Sequence, residues 1–206
     1  MPNSRKRNTI SRHKDRGHYD EKTIHEILDS GKICHVGITL EGQPFVIPMA
    51  YARQENALIL HGAPNSRLLN QLANGLPACV TVTHLDGLVL ARSTFHHSLN
   101  FRSVVAFGKA RSVDDLQEKH AALVLLTEHL APGRTKVARA ATDAEAKATS
   151  VVRFEIEDAS AKIRTGPPID SPNDMKLEVW AGIIPVTTLE GEPMPAPDLA
   201  AGVVYS

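Results

Sequence analysis

Short apolar segments that follow one another with only tight turns between them most constrain how this chain can fold. Lys32–Leu40, a Glu41-Gly42 turn and Gln43–Tyr51 predict a β-hairpin, and Ala57–His61 is predicted as the next strand. Strands joined by short turns pair antiparallel, whereas parallel strands need a long crossover between them. The sequence therefore predicts a mainly β, α+β fold in which an antiparallel barrel carries helices on its outside.

The second half of the chain continues this pattern. A strand over Pro77–His84 is predicted to turn at Asp86-Gly87 into a strand over Leu88–Ser93, and two further strands are predicted over Phe101–Val113 and Val151–Ile156. Helical spacing predicts three helices, over Asp20–Ser30, from Ser66 onwards and over Asp114–Leu130, and Thr142–Lys147 is a candidate for a short fourth. The sequence contains no glycine-rich dinucleotide motif and no phosphate-loop lysine motif, which excludes those two nucleotide-binding folds.

Pro48 lies inside the predicted strand Gln43–Tyr51. Proline has no backbone N–H to donate to a neighbouring strand, so it is confined to sheet edges and bulges. The backbone groups of Ile47, Met49 and Ala50 are therefore expected to face something other than a neighbouring strand.

Polar side chains are concentrated between two apolar runs, Leu88–Ala91 and Val104–Phe107. Because both runs are predicted as strands, the polar segment is expected at the rim of the sheet. Imidazole, hydroxyl, amide and guanidinium groups all bind phosphates and polar heterocycles, so this rim is a candidate ligand site. The polar residues are His96, His97, Ser98, Asn100, Arg102 and Ser103.

The turn after the third strand supports two interpretations. Backbone N–H groups at a helix start, with Ser66 and Arg67 beside them, suit a phosphate. The same pattern fits a plain helix cap at Asn65 or Ser66 with Arg67 in solvent. From these residues alone, the plain cap is the favoured interpretation.

Composition and charge exclude several classes of function. The chain has 23 basic and 23 acidic residues, so its charge favours no nucleic-acid partner. It contains no apolar run of membrane-spanning length and no apolar core after the N-terminal basic residues, which predicts a cytoplasmic protein. Cys34 and Cys79 lie in separate apolar runs without metal-type spacing, so they are predicted to be reduced thiols and no metal site is expected.

The two ends of the chain differ in composition from the middle. Residues 1–18 are polar and basic without an apolar face, which predicts a flexible arm that could also fold over a neighbouring site. Residues 191–206 are rich in proline and glycine and are predicted to form a surface tail. One domain is expected over residues 19–190.

Five segments, in order, resemble the flavin-binding split-barrel family related to pyridoxamine 5′-phosphate oxidase. The resemblance is to its branch of nitroimidazole-reductase-like and flavin-nucleotide-binding proteins, and it spans Tyr19 to Pro185. It implies a six-stranded split barrel and a homodimer that binds FMN at the subunit interface, with FAD, deazaflavin or haem as alternative cofactors. The segments are FVIPMAYA (45–52), LILHGAPNSRLL (58–69), HHSLNFRSVVAFGKA (96–110), KATSVVRFEI (147–156), and KIRTGPP with VWAGIIP (162–168 and 179–185).

The resemblance also implies roles for individual residues. The backbone of Val46–Tyr51 would lie along the isoalloxazine ring, and Ser66-Arg67 would hold the phosphate, which reverses the interpretation favoured by the residues alone. His61 stands where the nitroimidazole-reductase branch has a histidine near the flavin, so it is the candidate catalytic residue. The implied cofactor-binding set is Ile47, Pro48, Met49, Ala50, Tyr51, His61, Gly62, Ser66, Arg67, Leu68, His97, Ser98, Asn100, Arg102, Ser103 and Trp180.

The function implied by this resemblance is an FMN-dependent oxidoreductase that passes electrons from NAD(P)H to a small organic acceptor. It is not expected to be a true pyridoxamine phosphate oxidase, because the tail PDLAAGVVYS lacks the arginine- and histidine-bearing substrate motif of that enzyme. Two alternatives stay open, a non-catalytic flavin carrier and a haem-binding relative. The absence of histidine from the C-terminal third of the sequence argues against haem.

Overall fold

The computed structural model describes residues 7–205 and shows a closed antiparallel barrel. Its strands are β1 (Gly17–His18), β2 (Ile33–Leu40), β3 (Gln43–Gln54), β4 (Ala57–Gly62), β5 (Ala78–Leu90), β6 (Ser98–Ser112), β7 (Ser150–Arg164) and β8 (Gly182–Pro185). Six of them form the barrel in the order β7-β4-β3-β2-β5-β6, and β6 pairs back to β7 to close it. The short strands β1 and β8 extend the sheet by pairing with β7 and β5. The predicted six-stranded split barrel is thus confirmed, with two short strands added.

Four α-helices lie outside the barrel in this part of the chain. They are α1 (Glu21–Asp29), α2 (Arg67–Ala73), α3 (Leu116–Leu130) and α4 (Asp143–Lys147). Each begins at a side-chain cap that accepts a hydrogen bond from a backbone N–H three residues later, and such caps stabilise helix starts. The three predicted helices are therefore confirmed, and the candidate short helix is present as α4. The caps are Asp20, Ser66, Asp115 and Thr142.

Two apolar clusters hold these layers together. The larger fills the barrel with side chains such as Leu58, Leu60 and Phe154 and includes the apolar faces of α1 and α2. The smaller lies outside the barrel, where Ile59 packs with Leu126 and other α3 residues. Because neighbouring residues of a strand point to opposite faces, β4 contributes to both clusters.

The predicted turn at Asp86-Gly87 is wrong. Strand β5 runs through these residues to Leu90 and stays paired with β6, with a shift in register between Leu85 and Gly87. The connection to β6 is instead the segment 91–97, which contains a 3₁₀ turn. An Asp-Gly pair also suits a bulge, and here pairing on both sides of β5 keeps the strand continuous.

The N-terminal segment packs on the barrel from residue 7 onwards. Arg7 forms ion pairs with Glu157 (2.6 Å) and Asp158 (2.9 Å), and β1 pairs with β7. Residues 7–18 of the predicted arm therefore fold over the barrel surface. Residues 1–6 of the arm and Ser206 of the predicted tail lie outside the described residues. None of the described helices is long and apolar enough to span a membrane.

Candidate functional site

Strand β3 has a free edge over its first half. It pairs with β2 from Gln43 to Ala50, but its pairing with β4 begins only at Tyr51. Residues 43–50 therefore have one side without a strand partner within residues 7–205. Pro48 lies in this segment, so the prediction that it marks a sheet edge is confirmed. Backbone N–H and C=O groups along such an edge are available to a ligand.

This edge and the start of α2 enclose a cleft of about 230 Å³, which we call the β3 cleft. Ser66 caps α2 through its Oγ, which accepts a hydrogen bond from the N–H of Leu69 (3.3 Å), and its own hydroxyl hydrogen is available to donate. The Arg67 guanidinium lies over the Phe45 ring, 4.6 Å from its centroid. The cleft thus combines a hydroxyl, a cation and an apolar wall. It is lined by Ile38, Leu40, Phe45, Ile47, Met49, Ser66, Arg67 and Leu68.

The β3 cleft continues into a larger groove of about 500 Å³. The two share Ile38 and Phe45, and the larger one extends to Val46, Cys79 and Phe107. Burial raises the pKa of the Cys79 thiol, so this thiol is a neutral wall group rather than a thiolate nucleophile. Together the two cavities provide an elongated site along the β2–β3 hairpin.

The polar residues of the segment 97–103 do not line the β3 cleft. Asn100 is buried and its Oδ1 accepts a hydrogen bond from Arg164. Arg102 makes a bidentate ion pair with Asp86 of the same chain, at 2.9 and 3.0 Å. His97 Nδ1 bonds the carbonyl of Ser93 at 2.8 Å. These groups therefore make structural contacts within the chain, and their cofactor roles stay predictions, as do those of Ser98 and Ser103.

Other predicted cofactor residues have varied positions. Tyr51 is buried in the barrel, where its hydroxyl donates to the Leu28 carbonyl and burial raises its pKa. Its side chain therefore belongs to the core, and only its backbone lies at the end of the free edge.

Trp180 is 65% exposed and packs against Gly182, away from the β3 cleft. Gly62 ends β4, with the Leu69 side chain close to its Cα. Pro48 and Ala50 lie on the free edge itself.

His61 lines a different cavity from the one that Ser66 and Arg67 line. A cleft of about 460 Å³ lies under α3, where His61 meets leucines of that helix, Arg139 and Thr149. It adjoins a second cleft of about 470 Å³ on the outer side of the helix. We call the two together the α3 groove; the residues that line both parts are Leu123, Thr127, Arg139 and Ala141.

The chemical state of His61 suits a metal ligand. Its Nδ1 is buried without a hydrogen-bond partner among the described residues, and burial lowers its pKa. Leaving a buried polar atom unpaired costs about 1–3 kcal/mol, so a ligand that engaged this nitrogen would recover that cost. The lowered pKa keeps the ring neutral at physiological pH, and neutral imidazole is the form that coordinates metals.

Helix α3 is apolar on two faces. Ala122 and Leu126 pack on the barrel, whereas Leu123 and Val124 line the groove, with Val124 45% exposed. Helical spacing predicts that Leu123 and Val124 both point inward, and the exposure of Val124 shows that this part of the prediction is wrong. Four successive apolar residues at 123–126 cannot share one face of a helix, and that run is the signal that could have revealed the groove.

Comparison with known proteins gives one family and several similar structures. The model of the pyridoxamine 5′-phosphate oxidase family matches residues 20–163. The chain is 35% identical to the FAD and haem binding protein from Mycobacterium smegmatis, with a TM-score of 0.89 over 93% of this chain and 94% of that one. It is also 35% identical to the flavocytochrome Anf3 from Azotobacter vinelandii, with a TM-score of 0.91 over 98% and 94%.

A more distant similarity reaches the nitroimidazole branch. A candidate 5-nitroimidazole antibiotic resistance protein from Bacteroides thetaiotaomicron is 26% identical, with a TM-score of 0.58 over 71% of this chain and 87% of that one. Among curated protein sequences, none matches this chain.

Proposed function

The chain belongs to the pyridoxamine 5′-phosphate oxidase family, and from that premise we propose that it is a redox protein that binds a flavin nucleotide in the β3 cleft. The observation that carries this proposal is the meeting of the free β3 edge with Ser66 and Arg67 in one cavity. Arg67 and the Ser66 hydroxyl supply charge-assisted and neutral hydrogen bonds for a phosphate. The free backbone groups beside Pro48 supply donors and acceptors for the polar edge of a flavin ring.

The flavin is FMN or FAD. The groove of about 500 Å³ that continues from the β3 cleft favours FAD, the larger of the two. FMN is the cofactor expected from the sequence, whereas the M. smegmatis relative binds FAD. The cavity that continues past Phe45 extends the site to Phe107, which leaves room for the adenosine half of a dinucleotide. Chromatography of the flavin released on denaturation distinguishes the two.

A second copy of the chain is part of the proposed assembly. Leu88 pairs with Leu99 on one side and with Ile184 on the other, so the three side chains lie on one face of the sheet. They are 36, 46 and 45% exposed. Burial of this apolar face against a partner subunit explains its composition. Light scattering is expected to give the mass of a dimer, and a monomeric mass at working concentration contradicts this part of the proposal.

Haem is the second proposed cofactor, and the specific observation that favours it is the buried, unpartnered ring nitrogen of His61, a residue that lines the α3 groove beside three leucines of that helix. Histidine is a common axial ligand of haem iron, and both relatives at 35% identity are named for a haem or a cytochrome. The leucines of α3 would supply apolar contacts for the porphyrin, while His61 would supply a neutral imidazole. When bound, haem supplies one-electron chemistry.

This assignment changes two expectations from the sequence. The absence of histidine from the C-terminal third carries no weight against haem, because the proposed ligand lies at the end of β4. His61 is proposed as a haem ligand in place of the flavin-side catalytic role, since it lines the α3 groove and not the β3 cleft.

An absorbance spectrum of the purified full-length protein tests both cofactors. We expect flavin bands together with a Soret band, and release of the flavin on denaturation. A protein that fails to take up added FMN or FAD contradicts the flavin proposal. A protein that binds flavin but gives no Soret band after addition of haemin contradicts the haem proposal alone.

The direction of electron flow is a separate part of the proposal. We propose that NAD(P)H reduces the flavin. Anaerobic addition of NADH or NADPH to the holoprotein should therefore bleach the flavin absorbance bands. Lack of reduction by either nucleotide, with dithionite as the positive control, would instead identify a flavin carrier.

A further inference from the structure

Arg139 stands at the junction of the two parts of the α3 groove. It lines both clefts, and its side chain is 66% exposed. The rest of the shared lining is Leu123, Thr127 and Ala141, which carry no charge. Arg139 is thus the positive group that a ligand lying along the whole groove would meet.

Glu145, the ion-pair partner of Arg139, is also held in place by Thr142. The guanidinium donates to both carboxylate oxygens of Glu145, at 2.8 and 2.9 Å. Glu145 also accepts from the backbone N–H of Thr142 (2.7 Å) and from its hydroxyl (3.0 Å), which completes the capping box of α4. Glu145 therefore keeps its place and its hydrogen bonds if Arg139 turns to another anion.

Exchange of this partner is energetically easy. The Arg139–Glu145 pair lies at the surface, and exposed ion pairs contribute little to stability. The pKa of Glu145 lies at about 2, since Arg139 and Thr142 both stabilise its charged form. The helix cap and the α4 N-terminus continue to favour that charge when the guanidinium moves.

We propose that Arg139 anchors the porphyrin in the α3 groove by binding its carboxylate side chains in exchange for Glu145. Haem presents an apolar disc with two carboxylate side chains, and the groove presents leucines with Arg139 at the junction of its two parts. Glu145 also lines the groove, and it is the carboxylate that a propionate would replace on Arg139. Arginine binds carboxylates in a bidentate geometry, which adds direction as well as attraction. This inference rests on the proposed haem site, and it adds an anchoring residue distinct from the iron ligand His61.

Titration of the haem-free, full-length protein with haemin and with haemin dimethyl ester tests the anchor, because the ester lacks the negative charges. The Soret absorbance reports binding in both cases. Arg139→Ala is expected to weaken haemin binding by about five- to tenfold, as expected for loss of one charge-assisted contact at a partly exposed site. The wild type and Arg139→Ala should bind the dimethyl ester equally. The difference for haemin should shrink in high salt, because exposed charges are screened.

Arg134→Ala is the matched control, since Arg134 is exposed in the same segment but does not line the groove. It should leave both affinities unchanged. Arg139→Gln retains a long polar side chain without the charge and guards against a folding defect in the alanine variant. It should show the same selective loss for haemin.

Each other outcome overturns the anchor in a distinguishable way. Equal haemin affinity of the wild type and Arg139→Ala removes Arg139 from the site while leaving the haem proposal intact. An equal loss for haemin and its ester indicates a change in groove shape rather than a lost charge contact. Failure of the wild type to bind haemin contradicts the haem proposal itself and the anchor with it.

Discussion

The β3 cleft and the α3 groove are both lined from one short stretch of chain, residues 61–68, and they offer different ligand groups. His61, at the end of β4, lines the groove, whereas Ser66 and Arg67, at the start of the next helix, line the cleft. The cleft offers several polar contacts spread over backbone and side chains. The groove combines the leucines of α3 with the imidazole of His61, whose Nδ1 is unpartnered, and with the Arg139–Glu145 ion pair. Residues a few positions apart therefore line two different cavities, because β4 ends at Gly62 and α2 begins after Ser66.

This difference has a consequence for mutation. Loss of one contact in the β3 cleft leaves the other polar groups and the strand edge in place. Among the described residues that line the groove, loss of His61 removes the unpartnered imidazole nitrogen, since the ring of His120 is bonded to Asp143. We therefore expect the α3 groove to be the more sensitive of the two to a single substitution.

His61→Ala is predicted to have the largest effect. Removing an axial ligand should lower haem affinity by at least about a hundredfold, since metal–ligand bonds carry most of the affinity of such sites. Flavin content should stay unchanged. His25→Ala is the matched control, because His25 also has a buried, unpartnered ring nitrogen but lies on α1. Soret absorbance and flavin absorbance of the purified variants measure both effects, and parallel loss of flavin and haem in His61→Ala would remove the distinction between the sites.

Gly108→Ala tests whether both sites depend on the same barrel. A Cβ at Gly108 would overlap the carbonyl oxygen of Glu155, at the irregularity where β6 pairs with β7. Such overpacking of backbone against backbone should destabilise the fold by about 3 kcal/mol. Gly191→Ala, where the added carbon meets nothing within 4 Å, is the control. Urea unfolding measures the loss, and flavin and haem content should fall together; an unchanged midpoint would show that the barrel adjusts at this closure.

Arg67→Ala should weaken flavin binding by at least about tenfold through loss of a charge-assisted phosphate contact. Haem content should not change, since Arg67 does not line the α3 groove. Arg111→Ala, which removes a surface guanidinium paired with Glu118, controls for net charge. Flavin titration by fluorescence quenching gives the affinities. An unchanged affinity in Arg67→Ala excludes this residue from the phosphate site.

The smallest expected effect is a pH dependence confined to the α3 groove. Burial lowers the pKa of His61 below its ordinary value of 6.5, so the unfolded chain binds this proton more readily than the folded one. Stability should therefore fall as the pH drops below about 6.5 and be unaffected by this group at higher pH. Haem affinity should fall in the same direction, because the proton competes with the metal.

Comparison of the haem-free wild type with His61→Gln isolates the contribution of His61 to this pH dependence. As the pH falls, the free energy of unfolding should decrease less in the variant than in the wild type. Identical pH profiles for the two proteins would show that His61 does not bear a shifted pKa. Flavin affinity should show no matching step, since the β3 cleft does not contain this residue.

Local sequence was sufficient for most of the fold. Alternating apolar residues and the Glu41-Gly42 turn predicted the β2–β3 hairpin, helical spacing predicted α1, α2 and α3, and a cap at Asp20 predicted the start of α1. Pro48 predicted the sheet edge, because a missing N–H excludes a central strand position in any context. The resemblance of five segments to a known family added the pairing of that edge with Ser66 and Arg67, which the cleft brings together.

Other features depended on contacts between distant parts of the chain. Asp86-Gly87 became a bulge in β5 because β6 and β8 pair on its two sides, and Arg102 was engaged by Asp86 rather than left for a ligand. The sequence by itself thus determined which segments are strands, helices and edges, since these follow from backbone chemistry and periodicity over a few residues. Only the tertiary structure decided that His61 faces α3 and not the β3 cleft, because the surroundings of a side chain are set by which elements pack on each face of its strand.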